Sequence, residues 1–126
     1  LKTGMLANTE IIEQVALKIK EYALSNLVVD PVMVATSGDL LLEREAIKIY
    51  KENLFPLAEI ITPNLHEAKV LTGTEDKENV DLKLLAEKLI KYGNSYVLIK
   101  GGHREGAAAN KKAVDLLYDG IQFVEF

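Results

Sequence analysis

The sequence predicts an α/β domain: a mostly parallel sheet with helices on both faces, finished by a C-terminal β-hairpin. Three observations carry this expectation. Short apolar runs alternate with longer segments of helical periodicity through most of the 126 residues. The runs are continuously apolar, as strands covered on both sides require. Each run also ends in Asp, Pro, Asn, Lys or Gly, which puts polar residues at the carboxyl ends of strands, where such sheets bind ligands.

The elements follow in order. Asn8 or Thr9 can cap a helix running to about Ala23, with Ile11, Ile12, Val15, Ala16, Ile19 and Ala23 on its apolar face. Leu27–Val29 reads as a buried strand closed by Asp30-Pro31. Val32–Asp39 is loop-like, and a second helix fits Glu43–Asn53, with Ala46, Ile47 and Tyr50 inward and Pro56 just beyond. Glu59–Thr62 is the next strand. Asn64 starts a short helix to about Thr72, and Gly73 stands where a helix stops. Asp81 caps a third long helix to Tyr92, its inner face Leu82, Leu85, Ala86, Leu89 and Ile90, with Gly93 ending it. Tyr96–Lys100 is a strand, followed by a polar, Ala-rich loop to about Lys112. Ala113–Tyr118 and Gln122–Phe126 then pair across Asp119-Gly120, a favoured hairpin turn.

Composition excludes several classes. A chain of this length buries roughly two-thirds of its unfolded surface, enough for one core without staples. With 48% hydrophobic and 27% charged residues it is neither disordered nor fibrous. The absence of Cys removes disulfide scaffolds, thiolate zinc sites and a Cys nucleophile, and two His cannot make a His-rich metal site. A net charge of −4 with 6% aromatics argues against nucleic-acid and anionic-membrane partners. No apolar run approaches the roughly 18 residues of a spanning helix, and no signal-peptide pattern is visible. The chain opens on Leu1 and stops in a strand. We therefore expect an internal piece of a longer protein, the alternative being a small domain with trimmed ends.

Three strand ends carry candidate chemistry, each with a plainer alternative. Asp30 is a turn opener, or a carboxylate beside Mg²⁺ or a phosphoryl-transfer centre. Asn64 and Glu67 have the spacing of a reciprocal helix cap. The same geometry sets them at a helix N-terminus, where amides favour phosphate and a carboxylate can hold hydrated Mg²⁺. Lys100-Gly101-Gly102-His103 is an ordinary glycine turn, or a point charge and close backbone approach for phosphate. No Walker or dinucleotide fingerprint occurs. His66 fits a helix surface and His103 a loop, and Gly4-Met5-Leu6 alone reads as entry to a core.

Taken in order, five strings are specific together: Lys2–Leu6; Asp30–Ala35 with Ser37-Gly38-Asp39; Thr62-Pro63-Asn64 with Glu67-Ala68; Lys100–His103; and Val114–Gly120. Over essentially the whole chain they resemble the hydroxymethylpyrimidine/phosphomethylpyrimidine kinases of thiamine biosynthesis, within the ribokinase-like superfamily. The resemblance implies that residues 1–126 are part of one ribokinase-like kinase domain. It implies ATP- and Mg²⁺-dependent phosphorylation of an aminopyrimidine hydroxymethyl group and then of the monophosphate. Asp30 and Glu67 would organise Mg²⁺. Asn64, Lys100 and Gly102 would line the ATP phosphates, and Gly4, Met5 and Val32 would border the pyrimidine. A homodimer and a cytoplasmic location go with it.

Two departures qualify the resemblance. Many members carry Lys where this chain has Thr36, and the family's amino-terminal substrate segment and its Gly-Thr-Gly-Cys anion-hole segment are absent from these residues. The catalytic group is therefore unassigned, and the 126 residues alone are expected to be inactive. The alternatives are a pyridoxine/pyridoxal kinase of the same superfamily, a non-catalytic nucleotide-binding module, and the kinase part of a fusion with another thiamine enzyme. Val34-Ala35 after Val32-Met33 favours the pyrimidine branch.

Overall fold

The structure, a computed structural model, describes residues 1–33, 42–75, 79–101 and 113–126. Six strands form one sheet in chain order: β1 (Lys2–Thr3), β2 (Val28–Val29), β3 (Ile60–Ile61), β4 (Tyr96–Ile99), β5 (Leu116–Tyr118) and β6 (Phe123–Glu125). The first four strands run parallel, with Lys2, Val28, Ile60 and Tyr96 in one row and Thr3, Val29, Ile61 and Val97 in the next. β5 and β6 are antiparallel and form the expected hairpin. The Asp119 carboxylate closes it by accepting from the Ile121 and Gln122 amides at 2.8 and 2.6 Å, which holds its pKa below the usual carboxylate range. Tyr118 and Phe123 stack across the pair, 4.2 Å between ring centres.

Helical cover is unequal on the two sheet faces among the described residues. Thr3, Val29, Ile61, Val97 and Ile99 are buried. Their alternating neighbours Val28, Ile60 and Leu98 are half-buried, and Tyr96 is exposed. The reason is topological. Right-handed crossovers between strands laid down in chain order step each connecting helix to the same side.

Helix α1 (Thr9–Glu21) is capped by Asn8, whose side chain accepts from the Ile11 amide at 2.9 Å. Ile12, Ala16 and Ile19 are buried, but Ile11 is 41% exposed, because the stripe that meets the sheet is narrower than the apolar pattern. Ala23 also lies outside the helix. Its amide bonds the Lys20 carbonyl, the Leu24 amide bonds Ile19, and its φ is 48°, so it occupies the left-handed closing position usually given to glycine.

The second helix starts as expected and ends differently. α2 spans Arg44–Ile49, widens into a π turn at Tyr50–Leu54 and tightens into a 3₁₀ turn at Phe55–Leu57. Pro56 is the physical cause. It has no N–H to bond the Glu52 carbonyl and its ring crowds that carbonyl, so the ladder must be re-spaced ahead of it. Ala46, Ile47 and Tyr50 face the core. α3 (Leu65–Thr72) and α4 (Leu82–Ile90) match the sequence reading closely. Gly73 closes α3 at φ 65°, and Asp81 caps α4 through the Lys83 amide. α1 packs on α2 and the π turn, α3 on α4, and α4 on β4 and β5. No helix among the described residues is long and apolar enough to cross a membrane.

Candidate active site

Parallel pairing brings the carboxyl ends of β1 to β4 to one edge of the sheet. Asp30 follows β2 directly, and its amide bonds the Thr3 carbonyl at 3.0 Å, so the carboxylate leaves the sheet at a fixed height. Lys100 follows β4. Its amide bonds the Pro63 carbonyl at 2.9 Å, and it forms a parallel bridge with Asn64. Between them β3 ends in Thr62-Pro63 and hands over to α3 at Asn64.

These placements carry Lys100 Nζ to 3.1 Å from Asp30 Oδ1, two strands and 70 residues away. Lys2 Nζ lies 3.8 Å from Asp30 Oδ2. Asp30 is the recessed member, with its side chain 17% exposed against 41% for Lys100. A lysine already drawn to this edge by a carboxylate can be taken over by a more highly charged anion, such as a phosphate.

Asn64 and Glu67 form the expected reciprocal cap. The Glu67 amide donates to Asn64 Oδ1 and the Asn64 amide to Glu67 Oε2, both at 2.8 Å. Glu67 is only 2% exposed. Burial pushes its pKa up, against hydrogen bonds from the Asn64 and Met33 backbones and the attraction of Lys100, while Asp30 adds a smaller upward push. Asp30, Glu67 and Lys100 thus share one electrostatic environment. The described residues contain no cluster of three or more acidic, His or Cys side chains able to cage a metal. The donor set of two carboxylates suits Mg²⁺, which takes one or two from a protein and completes its shell with phosphates and water.

Gly101 has a packing requirement that the strand-end reading did not foresee. A Cβ there would stand 1.7 Å from the Val114 carbonyl oxygen. Its amide donates to Asp115 Oδ1 at 2.9 Å, tying the end of β4 to the chain entering β5. Two contributors were missed. Asp115 appeared only inside a motif string, and Tyr50 was read as ordinary core. A phenol among the inward residues of the second helix was the available signal for Tyr50. Its hydroxyl donates to the Gly4 carbonyl at 3.4 Å.

Gly4 and Met5 are exposed at the end of β1, and Val32 is half-buried two residues beyond Asp30. His66 is exposed on α3. Gly102, His103, Val34, Ala35, Thr36 and Ser37-Gly38-Asp39 lie outside the described residues.

Comparison with known proteins decides the family. The phosphomethylpyrimidine kinase family model matches residues 1–126. The chain belongs to the phosphomethylpyrimidine kinase family. It is 45% identical to the hydroxymethylpyrimidine/phosphomethylpyrimidine kinase of Bacillus subtilis over 99% of its own length and 45% of that protein's. Among solved structures, the phosphomethylpyrimidine kinase of Clostridium difficile 630 superposes with a TM-score of 0.84 at 41% identity, covering 99% of this chain and 52% of that one. An ADP complex of Bacillus subtilis pyridoxal kinase superposes equally, with a TM-score of 0.84 at 44% identity over 99% of this chain and 46% of that one. The fold is ribokinase-like, and the chain spans about half the length of these relatives.

Proposed function

We propose that these residues form part of a single kinase domain that phosphorylates 4-amino-5-hydroxymethyl-2-methylpyrimidine and then its monophosphate, using ATP and Mg²⁺, in thiamine biosynthesis. The observation that supports this best is the convergence of Asp30 and Lys100 at 3.1 Å, with the N-terminus of α3 at the same sheet edge.

Phosphoryl transfer asks a protein mainly for positioning and charge. Lys100 leaves Asp30 to hold a phosphate oxygen as a point charge. The Asn64 end of α3 adds the favourable end of a helix dipole, and Gly102 follows Lys100 two residues along the chain. Asp30 and Glu67 are the residues that would hold Mg²⁺; bound there, it would neutralise charge on the β- and γ-phosphate oxygens. Gly4, Met5 and Val32 border the pyrimidine in this reading. The protein acts as a cytoplasmic homodimer, a state that light scattering on the purified protein reads directly.

The test is ADP release by the full-length protein with the hydroxymethylpyrimidine, with and without Mg²⁺. Turnover that requires both supports the reading; none at saturating ATP and Mg²⁺ overturns it. Pyridoxal is the second substrate to assay, because the 44% identity to Bacillus subtilis pyridoxal kinase favours it specifically. The larger kcat/KM of the two assigns the branch.

A further inference from the structure

Lys100 is held by hydrogen bonds on both sides of its Cα. Its own amide donates to the Pro63 carbonyl at 2.9 Å, on the β3 side. The next amide, that of Gly101, donates on the β5 side to Asp115 Oδ1, also at 2.9 Å. The paired residues of β4 and β5 end at Ile99 and Leu116, so beyond them a side chain stands in for a ladder carbonyl. Asp115 is set for this by its own strand partner. Its amide and its carbonyl both bond Phe126, at 3.3 and 2.9 Å, so its backbone faces β6 and the carboxylate is what it offers to β4. Gly101 admits the close approach because it has no Cβ; one would stand 1.7 Å from the Val114 carbonyl oxygen. The peptide planes before and after a Cα set its φ and ψ, and with them the direction of its side chain. At Lys100 the first plane is fixed by β3 and the second by Asp115. That direction carries the Lys100 ammonium to 3.1 Å from Asp30.

We propose that Asp115 is a positioning residue: by holding the Gly101 amide it aims Lys100 along the sheet edge, and so acts on binding of the nucleotide phosphates and not of the pyrimidine. The nucleotide consequence rests on the kinase reading above; the hold on the Gly101 amide does not.

Two measurements on the full-length protein separate them. In amide hydrogen exchange, the wild-type Gly101 amide should exchange at least about tenfold more slowly than in an unstructured peptide of the same local sequence. Asp115→Ala should remove that protection, and Asp115→Asn, which keeps an acceptor oxygen, should retain it. In kinetics, Asp115→Ala should raise KM for ATP about fivefold, the effect of one hydrogen bond, with KM for the pyrimidine unchanged within twofold. Asp115→Asn should keep KM for ATP within about twofold of wild type. Leu85→Ala is the control. Leu85 is buried on α4, which packs on β4 and β5, so the variant should lower Tm while leaving both KM values near wild type. An unprotected Gly101 amide in the wild type overturns the proposal even if Asp115→Ala does not fold. So does an Asp115→Asn variant with KM for ATP raised fivefold, which would make the charge and not the bond the active feature. An unchanged KM for ATP in Asp115→Ala, an equal rise in both KM values, or a Leu85→Ala variant that reproduces the Asp115→Ala pattern overturns it too. Inactive wild-type protein whose Gly101 amide loses protection in Asp115→Ala sinks the kinase reading and leaves the hold on Gly101 standing.

Discussion

Replacing Asp30 with Asn should weaken the Mg²⁺-dependent reaction while strengthening nucleotide binding without metal. At 3.1 Å the Asp30–Lys100 pair has a gross attraction of about 5 kcal/mol at an effective dielectric near 20. Lys100 is 41% exposed, so solvent screening and side-chain entropy reduce the net value to about 1 kcal/mol. That amount must be given up before Lys100 can turn to a phosphate. Asp30→Asn removes the competing charge, so affinity for ADP in EDTA should rise about fivefold. With Mg²⁺ present, kcat should fall about 10²–10³-fold, the scale of losing one charge-stabilising group. Tm should drop by only about 2–4 °C for a protein of the relatives' size. Calorimetric titration with ADP in EDTA, a coupled rate assay and a thermal melt read the three quantities. Weaker metal-free ADP binding in Asp30→Asn would show that Asp30 does not compete for Lys100, and the reasoning would fail.

Because burial raises the folded pKa of Glu67, the folded chain holds this proton more tightly than the unfolded one. Its contribution to stability is greatest below the ordinary value of 4.5 and is lost as pH rises through the raised one. Glu67→Gln keeps the cap and removes that slope, so urea melts should show it gaining on wild type as pH rises above 4.5. If Glu67 holds Mg²⁺, the same variant needs more Mg²⁺ and loses at least about tenfold in kcat; superimposable Mg²⁺ titrations would leave only the cap role. Gly101→Ala should lower Tm by at least about 5 °C, because the β4 end and Val114 must part by about 1.7 Å to reach ordinary contact; a melt within about 1 °C of wild type would contradict this. The 126 residues expressed by themselves should show no turnover in the coupled assay, and rates near those of the full-length protein would refute this.

The features legible in the sequence are those whose physical cause lies within a few residues. Asn8, Asn64 and Asp81 cap the amides two or three positions ahead of them, and Gly73 supplies its own left-handed turn. The hairpin closes on amides within three residues of Asp119. Apolar runs ending in polar residues also marked the strand ends, and hence the edge where Asp30, Asn64 and Lys100 meet. Boundaries were less legible where two local forces compete. Ala23 carries the helical spacing but sits in the closing turn of α1, and Pro56 reshapes the helix through its effect on the Glu52 carbonyl.

Other features were decided only by the tertiary structure. Composition and periodicity say nothing of which buried phenol will reach Gly4 across 46 residues, or that Val114 will press on Gly101. Ile11 and Ile12 look alike in sequence, and the angle at which α1 meets the sheet exposes one and buries the other. The 3.1 Å approach of Lys100 to Asp30 depends on β2, β3 and β4 lying side by side in parallel register. Caps and turns are local bonds whose partners the chain carries nearby. A contact across 70 residues exists only once strand order and register have set both backbones in place.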